Sequence, residues 1–305
     1  MESKRPATVV SSGSTHQDPQ QSERKEASMT RLSIVTPNYN MAPYLRDTMM
    51  SVMVNLEPGD EYFVVDGGST DGSVELIREF QPKITGWVSE PDRGYADAIA
   101  KGFAKATGDV LCWINSGDLL LNGALARAKL ELARTKTDLI FGDDFYIDEN
   151  GHILQFSCGN VASLRNCMLH GNWTPLQDAC FWTRAIYERI GGIDANIKAA
   201  ADFDLFLRMS LAGTSQYVPV TFGAFRRHEG QISSSKWSTY RAERAAVQGR
   251  ELTRLQMSPF DRQKRELLHL TKMRLRSRIA PIIWHRRDLK GRPVQEFPCA
   301  TYWPR

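Results

Sequence analysis

A carboxylate at residue 118 stands between two strongly apolar runs of this 305-residue chain. Residues 110–114 and 119–121 are apolar, whereas the sequence between them, at 115–118, reads NSGD. Burial of an unpaired carboxylate costs free energy. Asp118 therefore either caps a turn or a helix, or it binds a positively charged group. A divalent cation is one such group, since carboxylates, waters and phosphates commonly complete its coordination shell.

Polar residues also follow three other apolar runs that have the length of buried strands. These predicted strands end at Thr36 and Asn38, at Asp66, and near Arg93. Ligands of open α/β sheets bind at the carboxyl ends of the strands. A turn alone would explain any one of these polar ends, but four together favour a ligand site at one edge of a sheet.

The elements that carry these residues alternate between strand and helix. From residue 31 to about 138, short apolar runs alternate with segments whose apolar residues recur at three- and four-residue spacing. This alternation predicts an α/β fold with a doubly wound, mostly parallel sheet flanked by helices. A turn at residues 149–151 then joins two predicted strands, and a strand, two helices and a closing strand lead to residue 235.

Two common phosphate-binding motifs are absent from the sequence. The segment after the first predicted strand reads TPNYNMAPY, without the G-x-G-x-x-G pattern of dinucleotide folds, and no G-x-x-x-x-G-K-[ST] occurs. Glycine amides would therefore not cradle the diphosphate of a bound nucleotide. A divalent cation would do so instead, which would explain the position of Asp118.

The composition is that of a soluble globular protein, with 42% hydrophobic and 24% charged residues and no apolar run of the length of a membrane span. The N-terminal segment is rich in Ser, Gln and Glu and lacks the apolar core of a secretory signal. We therefore expect residues 1–29 to form a disordered leader. Five cysteines without C-x-x-C spacing argue against a zinc site and indicate a reducing compartment, the cytoplasm.

Six segments together resemble glycosyltransferase family 2, which has the GT-A fold. In chain order they read SIVTPNYN, VVDGGSTDGS, SEPDRGYADAIAKGFAKATGDVLCWINSGD, QDACFWTRAIYERIGGID, ADFDLFLR and FRRHEGQIS. The resemblance is greatest to bacterial enzymes that build exopolysaccharide and lipopolysaccharide chains. It implies a GT-A domain over residues 30–235, a nucleotide-diphosphate sugar as donor, a saccharide or lipid-linked acceptor, and direct transfer with inversion at the anomeric carbon.

The resemblance also implies which residues contact the nucleotide sugar. Thr36 and Asn38 match positions that line the nucleotide, and Asp66 matches the carboxylate that contacts the base or the ribose. Arg93 and Asp97 fall in the segment that borders the diphosphate and the sugar.

A metal site is implied as well. Asp118 matches the carboxylate that binds Mn²⁺ or Mg²⁺ beside the donor, and His228 matches a position often used as a further metal or phosphate contact. Many relatives carry two acids in this motif, whereas this chain has Gly117 before Asp118. We therefore expect a single carboxylate, His228 and the diphosphate to share the ion.

For the catalytic base, the resemblance implies Asp202. The segment ADFDLF opens a predicted helix, which would hold Asp202 at the helix start. Asp202 and Asp204 could instead be acidic residues favoured by the dipole at a helix N-terminus. Aromatic residues Trp173, Phe181 and Trp182 could stack on a sugar face, although aromatics at such spacing more often belong to the core.

Three other functions remain open at this point. A nucleotidyltransferase also uses a doubly wound fold and a metal carboxylate, but it would usually carry a glycine-rich, basic loop after the first strand. A retaining GT-A enzyme would differ in the anomeric configuration of its product. A catalytically inactive sugar-nucleotide-binding module is the non-enzyme alternative, and the incomplete acid pair favours it.

The C-terminal part of the chain differs in charge from the rest. Residues 241–305 hold 16 Lys and Arg against 6 Asp and Glu, a balance of +10, whereas residues 1–240 hold 23 against 29, a balance of −6. We expect residues 236–305 to form a basic helical extension. It could lie on an anionic membrane at the inner face of the plasma membrane, or pack against the catalytic domain or the second subunit of a homodimer. Nucleic acid is not expected as a partner.

Overall fold

A computed structural model describes residues 19–159, 163–171, 173–229, 231, 235–257 and 289–300. The first half alternates helix and strand as α1 (Pro19–Met29), β1 (Leu32–Asn38), α2 (Ala42–Met53), β2 (Glu61–Asp66), α3 (Ser73–Phe80), β3 (Gly86–Ser89), α4 (Tyr95–Phe103) and β4 (Val110–Trp113). Every residue of β1 is buried because β1 lies between β2 and β4 in the sheet. The apolar run in the sequence is thus that of a central parallel strand.

Four parallel strands in the order β3-β2-β1-β4 form this half of the sheet. Their register pairs Asn38 with Asp66, and Asp66 with Ser89. The carboxyl ends of β1, β2 and β3 therefore meet at one edge, as the polar strand ends predicted.

The second half contains β5 (Leu119–Leu120), α5 (Ala124–Thr135), β6 (Leu139–Ile147), β7 (Ile153–Ser157), α6 (Leu164–His170), β8 (Cys180–Thr183), α7 (Arg184–Arg189), α8 (Ala201–Ala212), β9 (Ser215–Arg226) and α9 (Trp237–Arg254). Strand β8 lies antiparallel between β4 and β6, and β6 pairs in parallel with β9. Short antiparallel pairings add β5 and β7. The longest pairings, β1–β2 and β6–β9, are parallel, which confirms the predicted α/β fold with a mostly parallel sheet.

Aromatic side chains join the two halves. Trp182 packs edge-on against Trp113 at 5.4 Å between ring centroids, and Phe206 of α8 stacks on Trp113 at 5.8 Å. Phe181 and Trp182 are both fully buried. These aromatics belong to the core, which excludes them as a surface for a sugar.

The N-terminal segment corrects one prediction. Residues 19–29, expected as part of a disordered leader, form α1, which packs against α5 and ion-pairs with it through Glu26 and Lys136. Ala27 is buried in this contact. The leader prediction is therefore wrong for these residues, and its remaining part, residues 1–18, lies outside the described residues.

The described parts of residues 236–305 pack on the domain predicted over 30–235. Helix α9 contacts α6 and α8, and Gln248 Nε2 donates to the Met168 and Gly171 carbonyls at 2.7 and 2.9 Å. Around residues 289–300, a second apolar cluster forms. Its members include Leu289, Val294, Phe297, Phe145 and Phe156. The apolar basic stretch at 262–287, on which the membrane prediction depends, lies outside the described residues.

Candidate active site

Asp66 is the centre of the loop that follows β2. Its Oδ1 accepts hydrogen bonds from Asn38 Nδ2 at 2.7 Å and Ser69 Oγ at 2.5 Å. Its Oδ2 accepts from Ser89 Oγ at 2.6 Å and from the Gly68 and Ser69 N–H groups at 3.1 and 2.9 Å. Burial raises the pKa of Asp66, but these hydrogen bonds outweigh it and hold the pKa below the ordinary value. Asp66 is therefore an ionised group that shapes the loop from inside.

The two β1 residues predicted to line a nucleotide differ in their surroundings. The Thr36 hydroxyl lies 3.0 Å from the Tyr62 hydroxyl in the buried interior, and Thr36 pairs with Val64 of β2 in the sheet. Asn38 lies beside Asp66, and among the described residues its buried Oδ1 has no hydrogen-bond partner. A buried acceptor without a donor is costly unless a ligand supplies one. Asn38 is thus the stronger candidate of the two.

Arg93 and Asp97 face each other at the start of α4. Arg93 Nη2 lies 2.7 Å from Asp97 Oδ1, and the hydrogen bond from Arg93 lowers the pKa of Asp97. The guanidinium is largely exposed, whereas the carboxylate is nearly buried. Lys198 Nζ donates to the Arg93 carbonyl at 2.7 Å, so this pair lies beside the segment that precedes α8.

Glu243 of α9 holds that segment from one side. Its carboxylate accepts hydrogen bonds from the successive N–H groups of Lys198, Ala199 and Ala200, at 2.8, 2.8 and 3.0 Å. N–H groups before and within the first turn of a helix lack intrahelical partners and favour an anionic acceptor. Glu243, a residue of α9, therefore caps the start of α8. It fixes the backbone of residues 198–200, which leads into Asp202.

Tyr95 of α4 holds the same segment from the other side. Its hydroxyl donates to the Ala199 carbonyl at 3.1 Å and accepts from the Ala201 N–H at 2.8 Å. The Tyr95 hydroxyl thus bridges the Ala199 carbonyl and the Ala201 N–H, which precede Asp202 in the chain. Two helices, α4 and α9, together set the position of the predicted base.

Asp202 itself is desolvated while still partly open to solvent. Burial raises the pKa of Asp202 to about 6. The Phe203 N–H donates to Oδ1 at 2.7 Å, which stabilises the ionised form and limits this rise. A carboxylate in this range is ionised near neutral pH and more basic than an exposed aspartate. Asp204, in contrast, is fully buried and ion-paired with Arg208 and Arg250, each at 2.5 Å. The geometry favours Asp202 over Asp204 as a base.

Asp118 points into the protein. It is 4% exposed, its Oδ1 accepts from the Arg226 N–H at 3.0 Å, and its Oδ2 accepts from Asn115 and Gln177 amides at 3.2 and 3.4 Å. Burial, and then the charge of Asp178, raise the pKa of Asp118. Both carboxylate oxygens are thus engaged by protein donors, which disagrees with a role as metal ligand.

Two further buried aspartates lie near Asp118 and were not predicted. Asp144 is on β6 and Asp178 is in the turn before β8. Burial raises the pKa of Asp178 to about 6, and burial together with the charge of Asp178 raises that of Asp144. Neighbouring buried acids favour their neutral forms. The interior side of the NSGD turn therefore carries three buried acids that interact electrostatically.

His228 lies beside Gly117 of the NSGD turn. A Cβ added to Gly117, whose φ is +121°, would lie 4.0 Å from His228 Nε2. The His228 ring packs 5.2 Å from the Tyr44 ring, and its Nδ1 lies 2.7 Å from the Glu229 carbonyl. The structure therefore brings His228 next to Gly117 of the NSGD turn.

The described residues do not fit the predicted metal site. Within the ranges that the structure describes, no group of three His, Cys, Asp or Glu side chains is arranged to hold an ion. The acid that many relatives carry is Gly117 here, and the Asp118 carboxylate accepts hydrogen bonds from Arg226, Asn115 and Gln177. We therefore do not assign Asp118 as a metal ligand.

Known proteins resemble this chain in sequence. Residues 33–171 match the profile of glycosyl transferase family 2. An uncharacterized glycosyltransferase of Mycobacterium tuberculosis is 30% identical over 181 residues, which are 59% of this chain and 69% of that protein. A PGL/p-HBAD biosynthesis glycosyltransferase of Mycobacterium bovis is 26% identical over 205 residues, 65% of this chain and 77% of that protein.

Two solved structures share the fold. The S. aureus protein TarS (1–349), in complex with UDP-GlcNAc, superposes with a TM-score of 0.55 at 16% identity over 67% of this chain and 61% of that chain, less than two thirds of its length. The mannosyltransferase PcManGT of Pyrobaculum calidifontis, in complex with GDP-Man and Mn²⁺, has a TM-score of 0.53 at 19% identity over 83% and 78%. At these identities the likeness establishes the GT-A fold alone.

Replacement of Asp118 tests its inward role. We expect Asp118→Asn to change nucleoside diphosphate affinity less than about twofold, with or without Mn²⁺, because both carboxylate oxygens already accept hydrogen bonds from protein donors. The raised pKa of Asp118 means that the wild type loses stability as pH rises through that pKa, and the variant should lose less. Calorimetric titration with UDP, GDP and dTDP measures the affinity. Urea unfolding from pH 5 to 8 measures the stability. His228→Ala is the matched variant beside Gly117 of the turn and should weaken binding. Loss of Mn²⁺-dependent affinity in Asp118→Asn alone would restore the metal role.

Replacement of Glu243 tests the cap on α8. In Glu243→Gln the amide removes the negative charge, so the N–H groups of residues 198–200 should lose at least about tenfold in hydrogen-exchange protection, or about 1.4 kcal/mol of local stability. Arg250→Gln is the control, since it breaks another ion pair between α9 and α8. Exchange measured by mass spectrometry should show the loss at 198–200 in the first variant only. Equal protection in both variants would mean that Glu243 does not hold the segment.

Proposed function

Because this chain belongs to glycosyltransferase family 2, we propose that it moves a sugar from a nucleotide-diphosphate sugar to a hydroxyl of a saccharide or lipid-linked acceptor, with inversion, in cell-surface polysaccharide or glycolipid biosynthesis. One observation carries the proposal. Asp202, whose pKa is raised to about 6, is held at the start of α8 by Glu243 and Tyr95, beside the polar edge of the sheet.

The donor would bind along the carboxyl ends of β1 to β3. The unpartnered Oδ1 of Asn38 supports a contact with an N–H of the base, while Asp66 keeps the surrounding loop in shape. Arg93 and Lys198 place two exposed cations on the side nearer to Asp202, which suits the diphosphate and the sugar.

The reaction that we propose is a single displacement. The acceptor hydroxyl oxygen attacks the anomeric carbon, the bond from this carbon to the phosphate oxygen breaks, and the nucleoside diphosphate leaves. Asp202 takes the proton of the attacking hydroxyl. Such a general base is commonly worth about 10²–10⁴ in rate, and its efficiency is greatest when its pKa lies near the working pH.

The negative charge on the leaving nucleoside diphosphate must be stabilised by cations or by hydrogen-bond donors. We predicted that Asp118 and His228 share Mn²⁺ or Mg²⁺ for this purpose, but the donor set around Asp118 does not support that arrangement. We propose instead that His228, beside Gly117 of the NSGD turn, contacts the diphosphate directly. The neighbour PcManGT contains Mn²⁺ with GDP-Man, and an equivalent ion in this chain would need ligands other than Asp118.

One alternative keeps a specific observation in its favour. The replacement of the second acid by Gly117 suits an inactive sugar-nucleotide-binding module. The desolvated Asp202, which such a module would not need, argues for an enzyme. Transfer or donor hydrolysis by the pure protein decides between the two.

Location and association remain proposals. No helix in the described ranges combines the length and apolar character needed to cross a membrane. A cytoplasmic enzyme that docks on the inner membrane face through residues 241–305, or that dimerises, would meet a lipid-linked acceptor there. Residues 262–287, which would provide most of this contact, lie outside the described residues.

Replacement of Asp202 separates chemistry from binding. Asp202→Asn should bind the donor with unchanged affinity and lose at least about 10²-fold in kcat, since the amide cannot accept the proton. Asp204→Asn, two residues further along α8, is the control and should lose stability rather than turnover. Initial rates with UDP-, GDP- and dTDP-sugars measure the effect. A normal Asp202→Asn and an inactive Asp204→Asn would mean that the wrong carboxylate was chosen.

The pH dependence follows from the same group. Because only ionised Asp202 can act as the base, wild-type kcat/KM should rise with pH through about 6 and then level off. An activity that stays level from pH 4.5 to 8 would contradict this role.

A further inference from the structure

The acceptor must lie within hydrogen-bond distance of the base that receives its proton. If Asp202 is that base, as the proposed function states, the surface around the first turn of α8 is where the acceptor sugar binds. Helices α8 and α9, which contribute to that surface, lie beyond the segment 33–171 that matches the family profile. The first turns of α9 lie there, because Glu243 of α9 contacts the backbone of Lys198, Ala199 and Ala200.

Tyr240 extends this contact toward Asp202. It precedes Glu243 by three residues, so both side chains lie on the same face of α9. Its ring packs against the main core cluster. Burial raises the pKa of Tyr240, and the nearby charge of Asp202 raises it further, as expected for a hydroxyl close to that carboxylate.

Trp237 lies one more turn outward on the same face. Its indole stacks on the Tyr240 ring with 5.4 Å between centroids and 9° between the planes. Trp237 is 52% exposed, whereas Trp113 and Trp182 are fully buried. The chain therefore presents a flat aromatic surface to solvent on the face of α9 whose Glu243 holds the backbone just before Asp202.

A flat aromatic surface suits a particular ligand. One face of many pyranose rings carries several C–H groups, which pack on an aromatic ring, while the hydroxyls at the rim remain free for hydrogen bonds. Charged residues flank the two rings along α9, with Arg241 and Arg244 beside Glu243. A mixed charged and aromatic surface fits a sugar better than a lipid chain, which would need a wider apolar patch.

From these observations we infer that Trp237 and Tyr240 form the acceptor subsite, on which a pyranose ring of the saccharide acceptor stacks with one hydroxyl directed at Asp202. The inference rests on the proposed function, since Asp202 defines where the acceptor must be. It corrects the sequence-based search for sugar-stacking residues, which considered Trp173, Phe181 and Trp182. Two of these, Phe181 and Trp182, are buried, and Trp173 packs on the core residue Phe141 at 6.1 Å.

Kinetics with matched variants test the subsite. Trp237→Ala should raise the KM for the acceptor at least about tenfold, while kcat at saturating acceptor and the KM for the donor stay within about threefold. Trp237→Phe keeps a ring and should remain within about threefold in all three constants. Met29→Ala removes another exposed apolar side chain, on α1, and should behave as the wild type. The acceptors are p-nitrophenyl glycosides of glucose, galactose, mannose, rhamnose and N-acetylglucosamine.

A binding experiment gives a second, activity-independent result. Titration of the wild type with methyl glycosides of the same sugars should change tryptophan fluorescence in a saturable way, and Trp237→Phe should abolish most of that change. Unchanged acceptor KM in Trp237→Ala, or equal loss of donor and acceptor affinity, would overturn the subsite. If the wild type transfers no sugar, the proposed function fails, and the fluorescence titration still decides whether Trp237 binds a saccharide.

Discussion

Three successive backbone N–H groups just before α8 need hydrogen-bond acceptors, and a helix 43 to 45 residues further along the chain supplies them through one carboxylate. Unpaired N–H groups in this position would each cost about 1–3 kcal/mol if buried. The Glu243 carboxylate meets that need and thereby attaches α9 to α8. Tyr95 attaches α4 to the same backbone from the opposite side. The position of Asp202, its desolvation and the placement of Tyr240 and Trp237 all depend on this junction.

The NSGD turn has a similarly simple physical explanation. Asp118 stands between apolar runs because its carboxylate faces the interior, where the Arg226 N–H and two side-chain amides satisfy it. The buried Arg226 side chain supports the turn in addition, since its Nε donates to the Gly117 carbonyl at 2.7 Å. These hydrogen bonds show that Asp118 organises a turn, one of the two explanations that the sequence allowed. Gly117 of that turn lies beside His228.

Much of the fold could be predicted because it follows from local patterns. Short apolar runs that end in polar residues identified β1, β2 and β4 and the edge at which Asp66 lies. Contacts between side chains distant in sequence could not be read in this way. The pairing of Thr36 with Tyr62 depends on strand register, and the inward direction of Asp118 depends on β9. Glu243 stood in a segment whose excess of Arg suggested a basic extension, and only the packing of α9 on α8 reveals it as a helix cap.

The sequence did contain an unused signal for the proposed acceptor subsite. Trp237 and Tyr240 stand three residues apart, which places them on one face of a helix, but nothing in the sequence placed that helix beside Asp202. Packing brings the segment before α4, the start of α8 and the first turns of α9 together from separate stretches of the chain. The most direct test of this account is the anomeric configuration of the first product, observed by proton NMR with an α-linked donor such as UDP-glucose or GDP-mannose, whichever the enzyme uses. Single displacement with Asp202 as the base predicts a β-linked product, and an α-linked product would contradict it.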